Sequence, residues 1–241
     1  MRSLVVTAFV TLDGVMQAPG GPEEDPTGGF THGGWGVNAW DETMYSTMGE
    51  MLSSPFDLLL GRKTYEIFAA HWPHVGEGAR EERGGTASDV DDPAAATLNS
   101  ARKYVASRTL DTVTWNNSVL LQGDAADAVA KLKTEDGPDI ITQGSSDLIQ
   151  TLLDHDLVDE FRVWTFPVVV GPGKRLFGSG TTPGGLELVD IKTSSTGVVM
   201  ATYRRAGDVE LGSFAFETPT EEERARQARM AAEGSGPEVS R

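Results

Sequence analysis

Leu58-Leu59-Leu60-Gly61-Arg62-Lys63-Thr64-Tyr65-Glu66 carries an apolar strand straight into a Gly-Arg-Lys-Thr turn that opens a helix. The glycine suits a close approach of backbone to a ligand. The turn adds free helix N-terminal N–H groups, a threonine hydroxyl and two cations, a set that suits a phosphate or pyrophosphate. Two later stretches have the same character: Ala106-Ser107-Arg108-Thr109 and Thr142-Gln143-Gly144-Ser145-Ser146 each follow a short apolar run. Singly, Gly61 and Gly144 read as well as ordinary strand-to-helix turn glycines. Three such loops in one chain of alternating strands and helices read as a dinucleotide site.

Outward from this stretch the pattern alternates. Leu4 to Thr11 is β-branched and apolar on both faces, as a central strand of a covered sheet should be. Asp13 to Val37 is a long Gly- and Pro-rich loop, of a length that in compact domains serves a purpose such as covering a ligand. Helical spacing of Trp40, Met44, Met48, Met51 and Leu52 predicts a helix over 40–52, and another is expected over 63–70. The glycine-rich, charged stretch 76–92 reads as a surface excursion. Strands are expected at 103–106, 119–121 and 140–142, with helices at 125–133 and 147–154. A strand over 160–170 is interrupted by Pro167, which suits an edge or a bulge. A closing hairpin pairs 186–193 with 198–204 around Ser194-Ser195-Thr196-Gly197. The expected fold is α/β, with a mixed sheet and helices on both faces.

The stretch 207–241 is expected to be a separate polar tail. Thr218-Pro219-Thr220-Glu221 offers an N-cap, a proline at the first helical position and a capping glutamate, and Glu222 and Arg226 are spaced to pair. The helix over 219–232 is polar nearly all round and cannot hold a core of its own.

Composition narrows the function. The chain has 241 residues, 39% of them hydrophobic, 28 Gly, 12 Pro and a formal charge of −16. That acidity argues against nucleic acid and anionic membrane surfaces as partners, and it fits a soluble cytoplasmic protein. Without a single cysteine, thiolate catalysis and Cys-ligated metal centres are excluded. Arg2 and the apolar run from Leu4 to Leu12 imitate a signal peptide, but Thr7 and Thr11 break the run and no small-x-small cleavage site follows. His71-Trp72-Pro73-His74 lacks a third ligand at suitable spacing, so no metal site is expected.

In order along the chain stand Thr11-Leu12-Asp13-Gly14, Leu60-Gly61-Arg62-Lys63-Thr64-Tyr65-Glu66 and Ser107-Arg108-Thr109. Gln143-Gly144-Ser145-Ser146-Asp147-Leu148 and Leu157-Val158-Asp159-Glu160 follow, then Pro167-Val168-Val169-Val170-Gly171 ahead of Arg175-Leu176-Phe177. This order, over about residues 1–205, resembles the dihydrofolate reductase-like superfamily, closest to small bacterial relatives of the reductase domain of riboflavin biosynthesis. The resemblance implies a three-layer α/β/α sandwich with a mostly parallel sheet and a C-terminal antiparallel hairpin, spanning 1–206. It implies NADP(H) across the C-terminal ends of the strands. Arg62, Ser107 and Arg108 would meet the 2′-phosphate, where an arginine fork matches phosphate oxygens. Thr64 would meet the pyrophosphate, and Gly144 and Ser145 would pass beneath it. Lys63, Thr109, Gln143 and Ser146 complete the implied cofactor loops. A homodimer is implied as well.

Two acids are candidates for proton transfer. Asp41, followed by Tyr45 one turn on, reproduces the acid-then-aromatic spacing of dihydrofolate reductases; alternatively it is a helix N-terminal acid favoured by the dipole. Asp13 ends the first strand, where ligands collect in open α/β sheets; alternatively it forms a turn with Gly14. Lys174 and Arg175 could meet a substrate phosphate or stand as exposed loop cations. The expected function is NADPH-dependent reduction of a small heterocycle or imine, pterin-like or aminopyrimidine, of the kind carried out by dihydrofolate reductase or 5-amino-6-(5-phosphoribosylamino)uracil reductase. The competing expectation is an NADP(H)-binding protein without turnover.

Overall fold

Alternation along the first strand sets the layers. In the computed structural model, which describes residues 1–75 and 93–234, β1 (Leu4–Thr11) is buried almost throughout. Successive strand side chains point to opposite faces. Leu4, Val6, Ala8 and Val10 join one apolar cluster, while Val5 and Phe9 contribute to clusters on the other face. The expected excursion at 76–92 lies outside the described residues.

The chain then runs through α1 (Glu42–Leu52), β2 (Phe56–Gly61), α2 (Arg62–His71), α3 (Pro93–Ser100), β3 (Lys103–Ala106) and β4 (Ser118–Leu120). It continues with α4 (Ala125–Thr134), β5 (Asp139–Gln143), α5 (Ser146–Asp154), β6 (Glu160–Phe166), β7 (Leu186–Thr193) and β8 (Val199–Arg205). The sheet order is β4-β3-β2-β5-β1-β6-β8-β7. Every pair from β4 to β6 is parallel, and the pairs β6–β8 and β8–β7 are antiparallel. Val129 and Leu132 of α4 and Leu148, Ile149 and Leu152 of α5 pack on one face. Tyr65 of α2, Leu98 of α3 and Met44 of α1 pack on the other. This is the dihydrofolate reductase-like α/β fold.

Three expectations are corrected. β6 is neither an edge nor bulged; it lies between β1 and β8 and stops at Phe166, one residue before a proline that could donate no ladder bond. The first helix begins at Glu42 instead of 40, because Asp41 holds an extended backbone and caps it. Helix α3 has no counterpart in the sequence reading: Pro93-Ala94-Ala95-Ala96-Thr97-Leu98 offers only small residues around one buried leucine, too little apolar contrast to show a helical period.

Two buried cations pin the frame. Arg2, almost wholly buried, pairs with Asp57 of β2 and donates Nε to Pro138 O at 2.6 Å, so it joins the starts of three strands. Lys103, fully buried, donates to the carbonyls of Asn99, Ala101 and Asn116 at 2.8–3.0 Å, with its ammonium 4.1 Å from the Trp115 ring centre. Burial pushes its pKa down to about 8. Those three bonds fix the end of α3 and the approach to β4 around β3, which delivers the loop at 106–109.

The chain divides into two units, 1–208 and 209–241. The second contains α6 (Glu221–Gly234). Its cap is Thr220, whose hydroxyl accepts from Glu223 N at 3.2 Å, in place of the expected Thr218. Arg226 pairs with Glu223, three residues back, where the expected partner was Glu222. Both spacings put side chains on one helix face, and Glu223 presents both carboxylate oxygens to the Arg226 guanidinium.

Candidate functional site

Because β1, β2, β3 and β5 are parallel, the turns that follow them emerge at one end of the sheet. From β1 the chain moves to β2 on one side, and from β5 it crosses to β6 on the other. The strand order therefore changes direction beside β1, where open α/β sheets hold their ligands. A cleft of about 1230 Å³ opens there. Gly61, Arg62, Lys63 and Thr64, then Ser107, Arg108 and Thr109, then Gln143, Gly144, Ser145 and Ser146 all line it. Three loops that are 34 or more residues apart in sequence thus share one wall.

The first and third loops are braced against each other. Ser145 N donates to Thr64 Oγ1 at 2.8 Å, and Gly61 N donates to Ser145 Oγ at 2.9 Å. The brace needs Ser145 in a left-handed conformation, φ 42°, directly after Gly144 at φ 69°. A Cβ at Gly144 would sit 3.1 Å from Thr64 Cγ2 and Oγ1, so the positive φ favours glycine and a side chain would crowd Thr64. Gly61 differs. Its φ is −74°, and an added Cβ would make ordinary contact with Ser145 Oγ at 3.5 Å.

Helices α2 and α5 both start at this wall, and neither has a side-chain cap. By contrast α1 is capped by Asp41 and α4 by Asp124. The first N–H groups of α2 and α5 are therefore available to an anion, with two positive helix ends converging on it. Arg62 adds a cation, held by Glu66 one turn on at 3.1 Å. Such an exposed pair is worth only about 0.3–0.5 kcal/mol, so a phosphate can draw the guanidinium away. Arg108 is exposed with no ion-pair partner among the described residues. Ser107 shapes the turn that presents Arg108, because its hydroxyl accepts from Thr109 N and Leu110 N at 3.1 and 3.0 Å.

The opposite wall is the long loop after β1. Gln17 Nε2 donates to the carbonyls of Asp25 and Thr27, and its Oε1 accepts from Lys174 N. Lys174 Nζ pairs with Asp25 at 2.5 Å, and Lys63 Nζ reaches Thr27 Oγ1 at 3.3 Å. Lys174 is thus a tie between loops at the cleft. Arg175 lies 3.9 Å from Asp13, away from the cleft lining.

Neither acid expected from the sequence lines the cleft. Asp41 accepts from Met44 N at 3.0 Å, and from Ser195 N and Oγ at 2.6 and 2.7 Å, so it fastens α1 to the β7–β8 turn. The Ser195 hydroxyl bond, followed by the Met44 bond, lowers its pKa. Asp13 accepts from Thr11 Oγ1 at 2.6 Å and from Gly171 N at 2.8 Å, and these bonds hold its pKa near 2. Asp41 is thus the cap of α1, and Asp13 ties the end of β1 to the loop at 170–171.

Glu24 was not singled out from the sequence. It lines the cleft, half-buried, and accepts from Gly20 N at 2.6 Å. Burial raises its pKa. Neighbouring Asp25 is raised by burial too, but the bonds from Lys174 and Thr27 outweigh that and lower it overall. The one sequence signal for Glu24 is its place in a long loop read as a ligand cover. No cluster of three or more His, Asp or Glu suited to a metal occurs among the described residues. Nor is any described helix long and apolar enough to cross a membrane.

With this geometry in view, the chain belongs to the RibD C-terminal domain family, whose model matches residues 2–200. It is similar to the uncharacterized protein YyaP of Bacillus subtilis strain 168, 29% identical over 210 residues that cover 86% of this chain and 96% of that protein. Among solved structures it shares its fold with a putative riboflavin biosynthesis protein from Shewanella sp. PV-4. That match has a TM-score of 0.57 and 20% identity, over 85% of this chain and 99% of the other. A pyrimidine reductase-like protein from Corynebacterium diphtheriae matches with a TM-score of 0.53 and 13% identity, over 86% and 93%.

Proposed function

We propose that this protein is an NADPH-dependent reductase of a small heterocycle or imine, of pterin-like or aminopyrimidine type. One observation carries the reading: the uncapped N-termini of α2 and α5, braced by Ser145 and Thr64, converge on a cleft that also holds Arg62 and Arg108. That donor set fits a dinucleotide bearing a further phosphate, since helix ends take the pyrophosphate and an arginine fork takes the phosphate. The name of one structural relative, a pyrimidine reductase-like protein, supports the same reaction class.

When bound, the nicotinamide supplies the hydride. The protein orients it, through the anion-binding helix ends, and supplies the proton. Glu24 is the carboxyl suited to that role among those lining the cleft: Glu23 is exposed, Asp25 is tied to Lys174, Asp124 caps α4, and Asp147 is exposed in the first turn of α5.

A second reading, NADP(H) binding without turnover, is favoured by the absence of both Asp13 and Asp41 from the cleft lining. Fluorescence titration with NADPH and NADH, followed by a screen of dihydropterins and aminopyrimidinones for NADPH consumption, separates the two. Tighter NADPH binding with turnover supports the reductase, and tighter NADPH binding with none supports the binder. Equal affinity for both cofactors removes the cofactor assignment.

A further inference from the structure

Helix α1 covers only part of its face of the sheet. Its Met44, Met48 and Met51 pack with Trp164 and Met200, and beside them a second cavity of about 370 Å³ opens over β6, β8 and β7. It shares no lining residue with the cleft at the strand ends. Its volume lies at the lower end of the range for small-molecule sites. Strand register fixes what faces it. Glu160 stands opposite Arg204, while Arg162, Thr202 and Asp190 form one row across the three strands. A bulge brings Asp190 into that row: Leu188 lies opposite Tyr203, and the extra residue Val189 sets Asp190, instead of itself, opposite Thr202. Bulges re-aim side chains in this way, often beside sites.

The charges lining this cavity do not balance locally. Buried Glu160 accepts from Arg162 Nε at 2.8 Å and from Arg204 Nε at 3.1 Å. One arginine would neutralise that carboxylate, so two leave a net positive charge. Neither guanidinium gives its Nη groups to an acceptor among the described residues, although the Arg162 side chain is only 24% exposed. On the far side of Thr202, Asp190 has no ion-pair partner among the described residues, and Lys192 is drawn to Glu50 at 2.5 Å. The Arg162 and Asp190 backbones stand two strands apart, ~10 Å, and the side chains form no pair with each other.

We propose that this cavity binds a small zwitterion, an amino acid, with its carboxylate on the Arg162 fork and its ammonium on Asp190. A guanidinium fork takes a carboxylate through two parallel bonds. Between the two ends lies Thr202, whose hydroxyl bonds to none of the described residues and is free to meet the ligand. A bare anion such as phosphate would meet Asp190 and Asp139 in the same lining, and a simple amine would meet the positive arginine pair. A ligand that carries both signs satisfies both.

Isothermal titration of the full chain with the standard L-amino acids tests the proposal, with propionate, propylamine and inorganic phosphate as controls of a single charge sign. At least one amino acid should bind saturably, and every control should bind at least ten-fold more weakly. Asp190→Asn should weaken that amino acid roughly ten-fold or more. Asp190 is exposed and unpaired, so this variant should keep the wild-type melting temperature. Arg162→Gln should abolish binding, while Glu160 keeps Arg204 as its partner. The proposal is overturned if no amino acid binds, or if a control binds as tightly as the best amino acid. It is equally overturned if Asp190→Asn, folded as wild type, binds the amino acid with unchanged affinity.

Discussion

Thr64 Oγ1 accepts the backbone N–H of Ser145 at 2.8 Å, which joins the first turn of α2 to the first residue before α5. That bond and its companion, Gly61 N to Ser145 Oγ, hold two helix N-termini at a fixed separation. Thr64→Val leaves the part-buried Ser145 N–H without an acceptor, and Ser145→Ala does the same to Gly61. Each should cost on the order of 1–3 kcal/mol in denaturant unfolding and weaken NADPH binding. Gly144→Ala should cost at least as much, through its positive φ and its contact with Thr64. Unchanged stability in all three would show that the brace is not what holds the loops.

Arg62→Ala and Arg108→Ala should each erase most of the preference for NADPH over NADH while leaving NADH affinity nearly unchanged. A charge-assisted bond to phosphate contributes about 1.5–3 kcal/mol, or roughly ten-fold and upward in affinity. Glu66→Gln should act in the opposite direction, since it releases Arg62 from its ion pair. Parallel titrations of the two cofactors decide the matter; a variant that loses both equally would point to general damage at the α2 terminus.

Once a substrate is found, Glu24→Gln should lower turnover by about 10²–10⁴, the usual cost of a lost proton donor, with NADPH affinity intact. Asp41→Asn should leave turnover within a few-fold, because Asp41 serves α1 and Ser195. Full activity in Glu24→Gln would remove it from the proton path.

Asp13 predicts an acid-labile turn. Its pKa falls from 3.8 unfolded to about 2 folded, chiefly through the Thr11 hydroxyl bond. A carboxylate with a depressed folded value contributes stability that is present above its unfolded pKa and disappears as pH drops through the folded one. Asp13→Asn should therefore lower the melting temperature at pH 7 and converge with wild type near pH 2. Parallel melting curves across that range would exclude the linkage.

Local pattern alone was enough for the order of the strands and of every helix but α3, for the three loops that line the cleft and for the place of the long loop after β1. An apolar run, then glycine, hydroxyl and cation at a helix start, is legible wherever it stands because its physics involves near neighbours. The work of individual acids had to wait for the folded chain. Asp13 and Asp41 take their roles from Gly171 and Ser195, 158 and 154 residues away, and Glu24 takes its proton affinity from burial. A carboxylate is chemically similar in all three places. Long-range packing sets which donors reach it and how much water it keeps, and those two quantities fix how tightly it holds a proton.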